Sequence, residues 1–384
     1  MKDTKNPLAC LLSGFLLILP SSTRYTAHAA VESDRDRGFE VSLQRLSGAI
    51  LPPYPPSPVI AGIDWAPPET VVRRAKGSDN FPLTWSDDGA IYTTYGDGFG
   101  FEPFVPTKLS LGLARVWGTP DDFRGVNLRS ASIEQDGEGR KGRKGWGLLS
   151  VKGVLYLWLG HADRNGGEAQ LAWSHDHGRT WTFADWRFAE FGLVGFINFG
   201  KDYAGARDEF VYAYSHDGPQ ADGPANRFVL MRVPQDRINE RAAWEFFVRR
   251  DEHSQAVWSH DGNQRGAVFE HRDACLRSAI TYNAGIRRYL WWQAIPQPAG
   301  HRDRGDTRFD GGFGIYDAPE PWGPWTTVFF TTNWDTGPGE HGDFPSQWIS
   351  ADGRTLHLVF SGNDHFCVRK ATLKLREPAA TASP

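Results

Sequence analysis

The 384-residue sequence predicts an all-β protein, a five-bladed β-propeller whose ring is closed by an N-terminal strand. An aromatic strand that stops at a Gly, Ser or charged residue recurs five times, at spacings of 64, 55, 78 and 68 residues. This period suits one four-stranded blade with its loops. The 16 Trp, 24 Phe and 42 Gly suit aromatic-packed strands joined by tight turns.

The recurring aromatic strand is the second strand of each predicted blade, and an innermost strand precedes it. The second strands are Ile91–Asp97, Leu155–His161, Phe210–Ser215, Arg288–Gln293 and Leu356–Gly362. The innermost strands are Phe81–Trp85, Trp146–Val151, Val194–Phe199, Leu276–Thr281 and Phe344–Ser350. Third strands are predicted at Leu109–Val116, Gln170–Ser174, Phe228–Val233, Phe313–Tyr316 and Cys367–Leu375, and fourth strands at Thr180–Phe183, Glu245–Val248 and Trp325–Phe330.

The last predicted blade runs out of chain after its third strand. We therefore expect Thr70–Arg74, which precedes the first blade, to supply the missing outer strand. Such a pairing would close the ring and remove exposed sheet edges, which otherwise invite aggregation.

The two ends of the chain lie outside the predicted propeller, which spans residues 59–376. Residues 1–29 resemble a secretory signal peptide, with early lysines, the apolar run Leu8–Leu19 and a small-residue cleavage pattern. That run is too short for a stable membrane span. Residues 30–58 form a Pro-rich linker and 377–384 a disordered tail. We expect a secreted or periplasmic protein that acts as a monomer.

The net charge limits the classes of partner, and the cysteines leave one disulfide open. The net charge is −4, and it becomes −6 without residues 1–29, which argues against nucleic acid or an anionic membrane as partner. Outside the signal segment the cysteines are Cys275 and Cys367, which could form a disulfide or stay as buried thiols. We predict no cofactor and no metal at the site; structural calcium stays open.

The segment Ser174–Trp181 matches the Asp-box turn, S-x-D-x-G-x-T-W, at every specified position. Its Ser and Asp are suited to bond backbone groups of a turn, and its Trp to pack into a blade. This predicts a structural staple rather than catalysis. Sialidases carry such boxes, but the sequence shows no arginine triad with a Tyr–Glu pair.

Two aspartates are expected at one mouth of the ring. Asp79 lies where the first inner strand begins, and Asp97 lies where the antiparallel second strand returns to the same end. Glycoside hydrolysis needs two carboxyl groups, one protonated and one ionised. The alternative is that Asp79 caps a turn and Asp97 binds a backbone amide.

Several motifs resemble a group of secreted five-bladed proteins related to endo-D-arabinanases, and more remotely the arabinanase, xylosidase and levanase superfamily. They are Gly77-Ser78-Asp79, Trp85-x-Asp87-Asp88-Gly89, Tyr95-Gly96-Asp97, the run Arg277–Asn283, Gly323-Pro324-Trp325 and Leu358–Gly362. The resemblance covers most of residues 59–375. It implies a glycosidase with Asp79 and Asp97 as the catalytic pair.

The better-known arabinanase pattern differs, because it has an acidic trio that includes a glutamate. The candidates here are Glu190, Glu209 and Glu340, and Glu340 is the best placed. Further side chains are predicted to bind substrate at the mouth: Asn80, Phe99, His161, Asn198, Asp202, Tyr203, Arg277, Tyr282 and Glu340.

The leading hypothesis is an exported glycoside hydrolase that cleaves a polysaccharide, with an arabinan-type glycan as one possible substrate. A non-catalytic carbohydrate-binding propeller is the main alternative. A polysaccharide lyase is the third, in which His161, Tyr282 and Arg277 would supply the base and its cationic neighbour. Fold analogy does not choose among these.

Overall fold

The computed structural model describes residues 50–296, 311–337 and 339–377. The predicted signal peptide, most of the linker and nearly all of the predicted tail lie outside these residues. The described strands are β1 (Ile60–Trp65), β2 (Val72–Arg74), β3 (Leu83–Trp85), β4 (Ile91–Tyr95), β5 (Leu109–Gly118), β6 (Phe123–Leu128), β7 (Gln135–Asp136), β8 (Lys144–Val151), β9 (Val154–Gly160), β10 (Gln170–Ser174), β11 (Thr182–Phe183), β12 (Val194–Asn198), β13 (Phe210–His216), β14 (Ala225–Pro234), β15 (Glu245–Arg250), β16 (Ala256–Ser259), β17 (Phe269–Cys275), β18 (Ser278–Asn283), β19 (Arg288–Ile295), β20 (Gly312–Ala318), β21 (Thr326–Thr331), β22 (Gly339–Asp343), β23 (Thr355–Gly362) and β24 (Phe366–Leu375).

Helical structure in the described ranges is confined to single turns of 3₁₀ helix. These are Pro68–Thr70, Gly139–Lys141, Lys201–Tyr203, Arg241–Ala243, Gly262–Gln264 and Ser346–Trp348. No helix in this part of the chain has the length and apolar character needed to cross a membrane. The all-β prediction is confirmed.

The strands form four hydrogen-bonded sheets. The first has the order β3-β4-β5-β6, the second β11-β10-β9-β8, and the fourth β22-β23-β24-β1. The third is a ten-stranded sheet in which two antiparallel sets meet where β12 and β18 pair in parallel. The arrangement is propeller-like. The count of five blades stays a prediction. Five sets of strands result if the ten-stranded sheet is divided at its parallel pair, β12 and β18.

The first strands of successive sets lie side by side and run in one direction, as the residues in contact along them show. They are β3, β8, β12, β18 and β22. Ser150 N of β8 donates to Thr84 Oγ1 of β3 at 2.9 Å. Ile197 of β12 pairs with Ile280 of β18. Thr281 Oγ1 of β18 lies 2.9 Å from Asp343 Oδ1 of β22. We call the end at which these five strands begin the front end, and the opposite end the rear end.

The N-terminal and C-terminal parts of the described chain meet in one sheet. Both β1 and β2 pair antiparallel with β24. The strand predicted at Thr70–Arg74 is therefore confirmed as β2, and β1 adds a second pairing. Tyr54 in the Pro-rich segment packs edge-on against Phe269, with ring centroids 5.0 Å apart.

Most predicted strands are present within one to three residues, but the innermost strand predicted at Phe344–Ser350 is wrong. The strand is β22, and Ser346–Trp348 is a 3₁₀ turn that follows Pro345. The polar, Gly-containing β22 does not look like a buried strand. Its Glu340 and Asp343 are nevertheless buried, because Arg277 and Thr281 satisfy them.

Both described cysteines are buried free thiols in different apolar clusters. Burial raises the pKa of the Cys367 thiol to about 11, which keeps it protonated at neutral pH. The open question of a disulfide between Cys275 and Cys367 is thus decided in favour of thiols.

The turn Ser174–Trp181 joins β10 to β11 through a dense set of hydrogen bonds. Ser174 Oγ donates to Asp176 Oδ1 at 2.8 Å and accepts from Gly178 N at 2.8 Å. Asp176 accepts from Thr180 N at 2.9 Å and from Thr180 Oγ1 at 2.6 Å. The Trp181 indole N–H donates to Gly178 O at 3.0 Å. All these bonds are internal to the turn, which makes it a structural element.

Replacing Asp176 by Asn should lower the free energy of unfolding by about 1 kcal/mol, since charge-assisted bonds are weakened. The hydrogen bonds from Thr180 lower the pKa of Asp176 to about 2, against 3.8 in an unfolded chain. Its stabilisation is therefore present above pH 3.8 and is lost as pH falls towards 2. Urea unfolding would measure this. Asp185→Asn, at an exposed carboxylate, is the matched control, and equal losses would contradict the prediction.

Candidate functional site

The front end collects buried charged side chains from several sets of strands. Asp79 precedes β3, Lys144 begins β8, Arg277 precedes β18 and Glu340 lies in β22. Of their residue surfaces, 7% of Asp79, 5% of Lys144 and 4% of Glu340 are exposed. Because the five first strands run parallel, residues at their starts converge although they are far apart in sequence. The front end is therefore the candidate site.

Asp79 is held in place by a close backbone approach. Its N–H donates to Gly96 O at 3.0 Å, and Gly96 N donates to Asp79 O at 2.7 Å. A Cβ at Gly96 would lie 2.6 Å from Asp79 Oδ1, so a larger residue there would displace the Asp79 carboxylate. Asn80 and Asp97 have φ of 58° and 41°, in the sparsely populated left-handed region. Strained backbone on both sides of the pairing thus sets the positions of the two aspartates.

Asp79 belongs to a cluster of three carboxylates. One carboxylate oxygen from each of Asp79, Glu340 and Asp364 lies within 4.8 Å of the others. Asp79 and Glu340 are buried, whereas Asp364 is exposed. Oxygen ligands of this kind are those that hard cations such as Ca²⁺ take.

Asp97 lies in a different electrostatic environment, although it is at the same end of the sheet. Its Oδ1 forms an ion pair with Lys144 Nζ, and its Oδ2 accepts from Gly139 N at 3.1 Å. Of the Asp97 side chain, 20% is exposed. The lysine charge therefore lies directly against the Asp97 carboxylate. The two predicted catalytic aspartates therefore have contrasting surroundings.

Arg277 connects the carboxylate cluster to a second polar group. Its guanidinium pairs with Glu340 and lies 3.2 Å from Asp222 Oδ1. It also lies over the Trp146 ring, 5.0 Å from the centroid. Such a stacked, two-carboxylate contact fits the planar guanidinium. Arg277 thereby orients Glu340 towards Asp79.

His161 is buried on the other side of Asp222. Its Nδ1 lies 3.0 Å from Gly142 O, and its Nε2 lies 3.6 Å from Asp222 Oδ2. Burial tends to raise the pKa of Asp222, but His161, Arg277 and Arg140 outweigh it and hold that pKa well below its usual range. Asp222 is therefore a fixed negative charge between two nitrogen-bearing side chains.

Sequence reasoning missed Lys144 and Asp222. Lys144 stands in a basic run that resembles a solvated loop, and Asp222 lies in a Gly/Pro-rich turn between β13 and β14. The position of Lys144 at the start of an inner strand could have identified it as a site residue. No sequence feature could have identified Asp222, because its role depends on contacts with distant strands.

Asn80 and Phe99 lie at the front end. Asn80 Nδ2 donates to Gly145 O at 2.9 Å, so the side chain bridges the starts of two inner strands. Phe99 N donates to Ser78 Oγ at 3.1 Å, and 37% of the residue is exposed. An exposed ring at this end of the sheet is available for stacking on a sugar face.

Four of the predicted substrate-binding residues lie at the rear end, so the expectation of a single mouth was wrong for them. They are Asn198, Asp202, Tyr203 and Tyr282. Asp202 accepts from Gly153 N at 3.0 Å, in the turn that follows β8. Asn198 ends β12 and Tyr282 lies near the end of β18. The parallel inner strands carry their last residues away from Asp79.

The other glutamates considered also lie away from the cluster. Glu190 lies 3.4 Å from Arg241. Glu209 directly precedes β13, whose antiparallel pairing with β12 makes it begin at the rear end. Glu340 is the candidate that joins Asp79.

No protein-family model and no curated protein sequence matches this chain. Among solved structures, it is similar to a GH43_1 enzyme from Xanthomonas citri, at 14% identity over 82% of this chain and 93% of that one, with a TM-score of 0.43. The RS223 β-xylosidase shares 13% identity over 82% and 98%, with a TM-score of 0.44. The catalytic domain of the Coprinopsis cinerea GH62 α-L-arabinofuranosidase shares 11% identity over 78% and 92%, with a TM-score of 0.44.

Asp343, three residues after Glu340 in β22, should make stability depend on pH. Burial raises the pKa of Asp343 to about 7, although the hydrogen bond from Thr281 opposes this. The stabilisation is complete below the unfolded pKa of 3.8 and is lost as pH rises through about 7. Urea unfolding across this range should show a falling free energy of unfolding.

The variant Asp343→Asn should flatten that fall, because it removes the titrating group and keeps the size of the side chain. Asp121→Asn, at an exposed position, should retain the wild-type slope. An unchanged slope in Asp343→Asn would assign the pH dependence to other groups.

Proposed function

We propose that this protein is a glycoside hydrolase in which Asp79 donates a proton to the leaving group and Asp97 acts as base or nucleophile. The observation that carries the proposal is the contrast between the two aspartates. Asp79 is buried against another carboxylate, whereas Asp97 is paired with Lys144. Glycosidases need one protonated and one ionised carboxyl group, and contrasting surroundings supply that difference.

The distribution of charge around Asp79 supports its role as proton donor. Glu340 forms an ion pair with Arg277, and Asp364 is exposed. A proton on one member of such a crowded cluster relieves repulsion, and we assign that proton to Asp79. When Asp79 donates its proton to the glycosidic oxygen, Asp79 becomes a carboxylate beside Glu340. The transfer is therefore favourable only when the leaving group accepts the proton.

Other front-end residues are suited to bind sugar. Phe99 offers an exposed ring, and Arg277 and Asn80 place hydrogen-bonding groups near Asp79. The resemblance to endo-D-arabinanases favours a polysaccharide of arabinan type as substrate. We further propose that the protein is exported, acts as a monomer, and forms a five-bladed ring over residues 59–376.

The two alternatives are weakened to different degrees. A lyase that uses Tyr282 is disfavoured, because Tyr282 lies at the rear end while His161 and Arg277 lie at the front. A binding module would not need a buried carboxylate beside another one, since neutral amides and aromatic rings suffice for sugar recognition.

Asp79→Asn and Asp97→Asn should each lower the release of reducing ends from a cleaved glycan by roughly 10²–10⁴-fold. The screen should include arabinans, arabinogalactan, xylans and uronate-containing glycans. Circular dichroism melting would establish that each variant folds, and Asp121→Asn serves as the carboxylate control. Full activity in both variants would refute the assignment, whereas glycan binding by a wild-type protein that releases no ends would establish a binding module.

The exchange Glu340→Gln should move the alkaline limb of the pH–rate profile to lower pH. Removing the anion beside Asp79 weakens proton retention there, and it also leaves the Arg277 charge less compensated. The profile of kcat/KM on the best glycan would measure this shift. A uniform loss of rate without a shift would mean that Glu340 acts only in folding or binding.

A further inference from the structure

A basic groove lies between β2 and the β5–β6 hairpin, apart from the carboxylate cluster. Its volume is about 680 Å³. The cations that line it are Arg73, Arg74, Lys76 and Arg124, and the exposed aromatic residue at its wall is Trp117. Glu102 is the single carboxylate among the described residues of the lining. We call this feature the β2–β6 groove.

Three of the four cations are available to a ligand. Arg73 is occupied, because it donates to Cys367 Sγ at 2.9 Å and to Thr336 O at 3.1 Å. Arg74, Lys76 and Arg124 are exposed and take part in none of the ion pairs found in the described ranges, although Arg74 Nη1 donates to Arg73 O at 2.9 Å. Elsewhere in the described ranges, ion pairs engage many of the Lys and Arg side chains, among them Arg277, Arg288 and Arg369. The groove is thus a local excess of positive charge.

The apolar wall of the groove is built by cross-strand pairing. Trp117 of β5 lies directly opposite Arg124 of β6, so the indole and the guanidinium share one face. Of Trp117, 41% is exposed, and of Val126, two residues along β6, 43% is exposed. Arg74 lies over the Phe123 ring at 5.8 Å. A ligand here would meet flat apolar surface and cations side by side.

We propose that the β2–β6 groove binds an acidic glycan, a sugar chain that carries carboxylate or sulfate groups. Sugar rings present apolar C–H faces that stack on indole, while their anionic groups pair with guanidinium and ammonium. The groove has one exposed indole and lies on a protein of negative net charge. It therefore suits an acidic glycan better than a nucleic acid, which needs a longer basic track.

The groove borders the front end. Gly77 N, next to Lys76, donates to the backbone oxygen of Asp364 at 2.7 Å, and His365 lines the groove. A glycan in the groove would therefore be held next to the carboxylate cluster. Binding there does not depend on cleavage, so it stands or falls separately from the glycosidase proposal.

The test is the affinity of the purified protein for polygalacturonate, dextran sulfate and neutral arabinan, measured by isothermal titration calorimetry at low and high ionic strength. The double variant K76Q/R124Q should bind the acidic glycans roughly tenfold more weakly at low ionic strength. The matched control R179Q/K370Q removes two exposed cations outside the groove and should bind like wild type. Trp117→Ala should weaken binding at both ionic strengths.

The two acidic probes show which anionic group the groove prefers. Tighter binding of polygalacturonate indicates carboxylate, and tighter binding of dextran sulfate indicates sulfate. Either result supports the proposal. Equal weakening in the groove and control variants, equal affinity for neutral arabinan, or tighter binding of a single-stranded oligonucleotide than of both acidic glycans would each overturn it.

Discussion

The pairing of β1 and β2 with β24 is the constraint on which the candidate site depends. It joins the start of the described chain to its end, and β2 leads within five residues into Asp79. Gly77 N and Ser78 N then donate to Asp364 O, at 2.7 and 3.2 Å. Asp79 therefore meets Glu340 and Asp364 because β1 and β2, near the start of the described residues, share one sheet with β24 near their end. The same pairing places Arg74 and Lys76 along the β2–β6 groove.

Charge burial at the front end is balanced by pairing. Lys144 lies against Asp97, and Arg277 lies between Glu340 and Asp222. A buried charge without such a partner would cost several kcal/mol, on the order of 3–5 when one partner is removed. Asp79 and Glu340 also bring two buried carboxylates close together. Crowded carboxylates of this kind are a feature that functional sites retain.

The front and rear ends differ in chemistry for a simple topological reason. Parallel inner strands place all starts at one end and all finishes at the other. Starts carry Asp79, Lys144, Arg277 and Glu340, whereas the finishes carry Asn198 and the structural Asp202, which binds Gly153 N. The front end therefore brings several charged side chains together. At the rear end, the Asp202 carboxylate stabilises a turn instead.

The sequence by itself determined the order and type of most strands, since aromatic alternation, Asp-Gly turns and the Ser174–Trp181 turn are local signals. It also placed Asp79 and Asp97 at one end, because they flank an antiparallel pair. Only the tertiary structure decided that Glu340 lies in a strand and that Tyr282 lies at the rear end. It also decided that Lys144 pairs with Asp97 and that Asp222 pairs with Arg277. Those outcomes depend on contacts between distant strands, where a partner's charge offsets the cost of burial, and no local pattern in the sequence encodes that partner.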